Sequence, residues 1–267
     1  MIPIGDSNHR RSTPWVTYAI IAANFLVFLG MLSLDATPPA TRREEARQAV
    51  QQTRTICYGY ATYPTDADRF ICKYAFQPKE FFDTVEGQSG LTGSARAVVL
   101  LSVVTALFMH GGWLHILGNM LFLWVFGDNV EDRLGHLRYL FFYLVAGVLA
   151  CLVQGALSPG SVLPVLGASG AVAGVLGAYL VWFPGTTVRV VIPFFILIFI
   201  PIPVPAWLMI GLWFLQNLLS GYATIADAAT GGGGVAWFAN IGGFLFGMLV
   251  AMAAGRQRRR PAPRFAR

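Results

Sequence analysis

Charge is what this chain has least of. Asp, Glu, Lys and Arg make up 12% of its 267 residues, about half the ~25% of an ordinary soluble domain. With 55% hydrophobic residues and a mean hydropathy of +0.59, that shortage argues against a water-soluble enzyme and for a membrane protein. Cysteine is also scarce: Cys57, Cys72 and Cys151 form no C-x-x-C pair, so no thiolate zinc or redox motif is encoded. Histidine is limited to four residues. His110 and His115 stand five apart with no carboxylate between them, unlike the H-E-x-x-H helix of zinc proteases. Neither a metal nor a cofactor is expected. The net charge is +6, but six of the 19 basic residues crowd into the tail GRQRRRPAPRFAR. Beside a membrane span such a tail sets topology, and nucleic acid is not an expected partner.

What the chain has instead is long apolar runs, which locate membrane spans. The first is Trp15–Leu34, retained as a helix because it is too long for a signal-peptide core. Trp113–Phe126, Tyr139–Leu157, Val165–Phe183, Pro205–Leu219 and Val235–Ala254 follow, giving six spans and an all-α polytopic membrane protein. Val188–Ile200, closed by PIPVP, is too short for a span and reads as a re-entrant or interfacial segment. With six spans both termini share one side, together with Arg10, Arg11, Arg133, Arg138, Arg189 and the arginine tail. The loops at 158–164 and 220–234 contain no Lys or Arg. This positive-inside pattern makes the termini cytoplasmic, and the Arg-, Ala- and Gly-rich composition fits a bacterial cytoplasmic membrane. The expected organisation is a cytoplasmic N-terminus (1–14), a first transmembrane helix (15–34), a long extracytoplasmic loop with interfacial segments (35–110), a core of transmembrane helices two to six (111–254) and a basic cytoplasmic tail (255–267). Ala97–Met109 suits a piece at the membrane surface or packed into the bundle mouth. His136 and the run DNVEDR read as a solvated inner loop. Cys57 and Cys72 both lie in the outer loop, where either a disulfide or two free thiols fits; a bridge would contribute roughly 3 kcal/mol.

Polar residues at membrane depth are costly and mark functional sites. Three clusters stand out. In HGGWLHILGNMLF, His115 and Asn119 share one helix face at i and i+4. LGASGAVAGVLGAYL carries Ser169 at the outer end of the fourth span, and AWFANIGGFLFG carries Asn240 near the outer end of the sixth. At about 1.5 Å per residue, all of these side chains fall in the outer third of the bilayer, where they can share one shallow cavity. Gly170 and Gly174 on the fourth span, and Gly243 and Gly247 on the sixth, permit close helix packing. Taken singly, each feature also has a purely structural reading: a serine bonded back to its own helix, an asparagine joining helices, a packing motif.

Together and in this order, HGGWLHILGN, GASG and AxIGGFLFG resemble the rhomboid family of intramembrane serine proteases, over about residues 108–250. The resemblance implies a rhomboid-like six-helix bundle with a long extracytoplasmic first loop. It also implies a Ser–His dyad that cuts transmembrane helices of substrate proteins near the outer leaflet, with the lipid bilayer as the working environment. Ser169 matches the nucleophile. His115 and Asn119, with the Ser169 backbone N–H, match the oxyanion donors. His110 matches a histidine at the mouth of the site, and the fifth span a lateral gate for the substrate helix.

One position departs. The family's general-base histidine falls where this chain has Asn240, so that the motif reads ANIGG. A serine hydroxyl needs a neighbouring base to take its proton, and histidine serves because its pKa lies near 6.5. A carboxamide can hydrogen-bond to Ser169 but cannot accept the proton and return it to the leaving amine. The expectation is a protease fold whose hydrolysis is lost or severely impaired. The competing readings are a pseudoprotease that binds membrane helices without cutting them and, more remotely, a transporter or channel.

Overall fold

The structure is a computed structural model and describes residues 1–8, 10–34, 66–191, 201–226 and 236–255. Among these residues the chain forms nine helices. They are α1 (Trp15–Leu34), α2 (Asp66–Tyr74), α3 (Pro78–Val85), α4 (Gly93–Thr105), α5 (Trp113–Leu134), α6 (His136–Leu157), α7 (Ser169–Trp182), α8 (Ala206–Ala226) and α9 (Trp237–Ala253). A single 3-10 turn, Ala106–Phe108, follows α4. Helices α1 and α6 are each long and apolar enough to cross a membrane. The segments Gly93–Phe108 and Trp113–Leu134 pass the same test as one unit bent by 77°, while α7 and α9 are shorter apolar helices. The bundle wears large apolar side chains on its outside, among them Leu26, Leu114, Phe141, Leu219 and Leu249, as lipid contact requires. This is an all-α membrane fold.

Helix α7 is the centre. From Gly170 to Tyr179 every residue is buried, and the side chains are mostly Ala, Val and Gly because neighbouring backbones crowd in. A Cβ on Gly243 would fall on the carbonyl oxygen of Gly170, and one on Gly247 on that of Gly174. On α7 itself, a Cβ on Gly177 would overlap the Phe244 carbonyl oxygen. Helices α7 and α9 therefore touch backbone to backbone, the contact that paired small residues allow. From the α6 side, Ala146 Cβ would lie 2.7 Å from a Cβ on Gly174.

At the far end of α7 the chain builds a feature not expected from its sequence. Strand β1 (Ile2–Asp6) pairs antiparallel with β2 (Thr187–Val191), which pairs with β3 (Ile202–Pro205). The segment read as re-entrant or interfacial thus begins as a β-strand, and residues 192–200 lie outside the described residues. The prolines of PIPVP that argued against a helix are tolerated because β3 is an edge strand. The sheet brings Asp6 onto the bundle, where its carboxylate accepts hydrogen bonds from the Tyr179 hydroxyl and from Asn129 Nδ2, the latter at 2.9 Å.

The run DNVEDR is also not a solvated loop. It is the last turn and a half of α5, and Glu131 within it is fully buried. The Glu131 carboxylate accepts the backbone N–H groups of Val16 and Thr17 at 2.9 and 2.7 Å, and the Thr17 hydroxyl at 2.6 Å. An anion at the first turn of α1 satisfies N–H groups that no helix carbonyl can reach and complements the helix dipole. His136 Nδ1 lies 2.6 Å from Glu131 Oε1 and completes the cluster.

The small helices α2 to α4 cover one side of the bundle. Phe76, Phe81, Val103 and Leu107 pack there with Cys151 of α6. Cys72 is disulfide-bonded and Cys151 is a buried free thiol; Cys57, the other half of the candidate bridge, lies outside the described residues. Glu80 on α3 is buried, and burial pushes its carboxyl up from the ordinary 4.5 to about 8.

Two outcomes follow from these contacts. Between pH 4.5 and 8 the unfolded chain has released the Glu80 proton while the folded chain retains it, so stability falls as pH rises through that window, by at most about 1.4 kcal/mol per unit. Glu80→Gln should flatten the dependence of thermal unfolding on pH in detergent; parallel curves for parent and variant would refute the assignment. Gly247→Val should lower unfolding stability by roughly 2 kcal/mol or more through overpacking against α7, whereas Gly30→Val, at a glycine with nothing within 4 Å of its Cβ position, should cost far less.

Candidate active site

Ser169 is the first residue of α7 and is half-buried. Its N–H belongs to the group at a helix start that has no intrahelical acceptor, so it is available to a ligand. The turn before it is set by Gly167, whose φ of +123° suits only glycine. Space demands glycine there too. A Cβ at 167 would sit 2.7 Å from His115 Nε2 and 3.8 Å from Asn119 Nδ2. The Gly167 N–H donates to the Ala106 carbonyl at 2.9 Å, which ties this loop to the 3-10 turn. The sequence LGASG therefore lies directly on the imidazole of His115, and the i, i+4 pair on α5 arrives beside the start of α7.

Asn119 is buried and its Nδ2 lies 3.0 Å from His110 Nε2. An amide nitrogen can only donate, so Nε2 of His110 is the acceptor and its ring proton is on Nδ1. The His110 and His115 rings meet edge to face, with centroids 5.0 Å apart. His110, expected at the mouth of the site, is only 1% exposed and stands behind Asn119.

Asn240 is also brought to this end of the bundle. Gly170, one residue after Ser169, would place a Cβ 3.5 Å from the carbonyl oxygen of Ala239, one residue before Asn240. The amide of Asn240 does not make the serine contact its position suggests. Its Nδ2 donates at 2.7 Å to Oδ1 of Asn217 on α8, and its own Oδ1 is buried without a hydrogen-bond partner. Asn217 was missed in the sequence, although the rule that selected Asn240, an amide inside an apolar run, applies equally to it. Gln154 on α6 was missed likewise; its Oε1 accepts the Ala239 N–H at 3.3 Å.

Among the described residues no group of His, Cys, Asp and Glu could hold a metal ion. An apolar groove of about 500 Å³ lined by Leu180, Val181, Pro184, Met248, Ala251 and Met252 lies at the other end of α7 and α9 and carries no polar chemistry.

The role of Gly167 is open to a direct check. Gly167→Ala should lower the thermal unfolding temperature by several degrees and perturb the His115 imidazole resonances. Gly160→Ala, where nothing lies within 4 Å of the Cβ position, should do neither; equal effects at the two sites would contradict the packing described.

The chain is similar to known proteins. Residues 98–257 match the Rhomboid domain family. The chain is 30% identical over 200 residues to the yeast protein Rhomboid protein 1, mitochondrial (Saccharomyces cerevisiae), covering 72% of this chain and 49% of that one. It is 27% identical over 177 residues to RHOMBOID-like protein 1 of Arabidopsis thaliana, covering 62% and 39% of the two chains. Over 78 residues it is 40% identical to Rhomboid protease GluP of Bacillus subtilis, covering 29% and 15%. The matches span about half or less of these relatives' lengths. Together with the helical membrane fold, they establish that the chain belongs to the rhomboid family.

Proposed function

We propose that this chain carries the binding and oxyanion machinery of an intramembrane serine endopeptidase but lacks an effective general base, because Asn240 stands where the base is needed. The observation that carries the reading is the convergence of Ser169, His115 and Asn119 around the glycine turn at 167. The substrate class is a transmembrane helix of another membrane protein, reached from the bilayer at the end of the bundle where α5, α7 and α9 begin. By the arginine distribution that end is extracytoplasmic and both termini are cytoplasmic, in a bacterial cytoplasmic membrane.

The chemistry follows from the positions. Attack of Ser169 Oγ on a peptide carbonyl puts negative charge on its oxygen. Donors able to receive that charge are the Ser169 N–H, His115 and the second N–H of the Asn119 amide; pre-aimed donors in a water-poor site supply about 3 kcal/mol each. The hydroxyl proton, however, has no acceptor of suitable basicity. In a soluble serine protease, loss of the histidine costs about 10⁶ in turnover, and a loss of that order is expected here. Neither nearby histidine replaces it: His110 Nε2 is engaged by Asn119, and His115 packs on the Gly167 turn.

A second reading has its own support. The Asn240 donor is committed to Asn217 inside the bundle, which makes residue 240 part of a stable helix contact. A pseudoprotease that holds membrane helices without cutting them would have this arrangement.

The experiment is cleavage of a model transmembrane substrate in liposomes by three proteins. The chain itself should be silent, Asn240→His should cut, and Asn240→His with Ser169→Ala should be silent again. Cleavage by the unaltered chain would overturn the account of Asn240. A folded Asn240→His protein that binds substrates without cutting them would favour the pseudoprotease.

A further inference from the structure

We infer that Asn217 is a positioning residue for the side chain at 240, the orienting third member of a Ser169–240–Asn217 line; this rests on the protease reading of Ser169 and position 240. The argument starts from the orientation of two amides. Asn217 Nδ2 donates at 2.8 Å to the carbonyl oxygen of Trp213, one turn earlier on α8. A carbonyl only accepts, so the amino end of Asn217 must face Trp213 and its Oδ1 must face α9. The group meeting that oxygen at 2.7 Å is therefore necessarily a donor, Nδ2 of Asn240. The orphaned Oδ1 of Asn240 is then turned away from Asn217.

Position 240 lies where two faces of α9 meet. Three residues on, Gly243 abuts the Gly170 backbone of α7. Four residues on, Phe244 stacks on Phe214 of α8, with ring centroids 4.2 Å apart. A side chain at 240 thus stands between the helix that begins with Ser169 and the helix that carries Asn217. Both amides are almost fully buried, at 3% for Asn217 and 5% for Asn240. There a misdirected polar group has no water to turn to.

Asn217 presents an acceptor that selects for a donor at 240. In histidine, Nδ1 is attached to Cγ, as Nδ2 is in asparagine. A histidine at 240 can therefore place Nδ1–H where the Asn240 donor now stands. With the proton held on Nδ1, Nε2 carries the lone pair and is the nitrogen free to take the Ser169 proton. An acceptor that fixes the histidine tautomer is the function of the third group in soluble triads, where asparagine also serves. Asn217 does not touch the reacting atoms; it acts through residue 240.

The test uses the full chain in detergent and liposomes, with Asn240→His as the parent. Adding Asn217→Leu should lower kcat by about 10-fold, the loss expected from one supporting hydrogen bond, with KM little changed. Adding Asn217→Asp should retain a correctly placed acceptor and move the acidic limb of the kcat–pH profile upward, because a carboxylate favours the imidazolium. A purely structural contact would move neither tautomer nor pH profile. Independently of cleavage, ¹⁵N NMR of the introduced imidazole should show the proton on Nδ1 with Asn217 present and a redistribution toward Nε2 with Asn217→Leu. An unchanged tautomer or an unchanged pH profile in folded variants overturns the inference even if Asn240→His cuts. A tautomer that depends on Asn217 in a protein that never cuts supports the positioning and removes the protease reading instead.

Discussion

The contact on which the rest of the molecule depends is the one between the α7 and α9 backbones. Gly170 and Gly174 of α7 meet Gly243 and Gly247 of α9 so closely that a single methyl would strike a carbonyl oxygen. In lipid there is little hydrophobic gain from pressing two apolar helices together, so close packing and polar contacts must hold them. The same contact does the positioning. Ser169 stands one residue before the first of these glycines and Asn240 three residues before the third, so the packing that joins the helices also brings the candidate nucleophile and position 240 to the same end of the bundle.

The α5 side of the candidate site is held differently. His115 and Asn119 come from α5, and nothing in their own helix aims them at Ser169. The aim comes from Gly167, whose left-handed backbone and missing side chain let the turn lie on His115, and from His110, which holds Asn119 from behind. At the opposite end, Glu131 gathers the first N–H groups of α1, and the β1–β2–β3 sheet ties the N-terminal strand to the segment after α7. Buried polar groups thus sit at both ends of the bundle and the apolar packing lies between them.

Within this frame the two ends of the Asn240 amide fare differently. Its donor is satisfied by Asn217, and its acceptor is left over. Asparagine is tolerated because it reproduces the donor that Asn217 requires. It is a poor proton acceptor, because the nitrogen lone pair of an amide is delocalised into the carbonyl. On the proposed protease reading, stability and catalysis impose separate requirements on this one side chain, and asparagine answers the first.

Much of this was legible in the sequence. The apolar runs located the helices, α1 with the same bounds as the first run, because length and hydropathy reflect the bilayer directly. The small-residue spacing marked the fourth and sixth spans as each able to pack closely, and amides and histidines in apolar runs marked the candidate site, because such groups are expensive in lipid wherever they occur. What the sequence alone did not decide was pairing. The strands at 2–6 and 187–191 are separated by most of the chain, Glu131 caps a helix more than a hundred residues before it, and Asn217 bonds across to another helix. Hydropathy reports the depth of a residue in the membrane but not the direction it faces. Which polar group meets which is set when helices dock, and only the tertiary structure shows that the Asn240 amide faces Asn217 while its oxygen faces away.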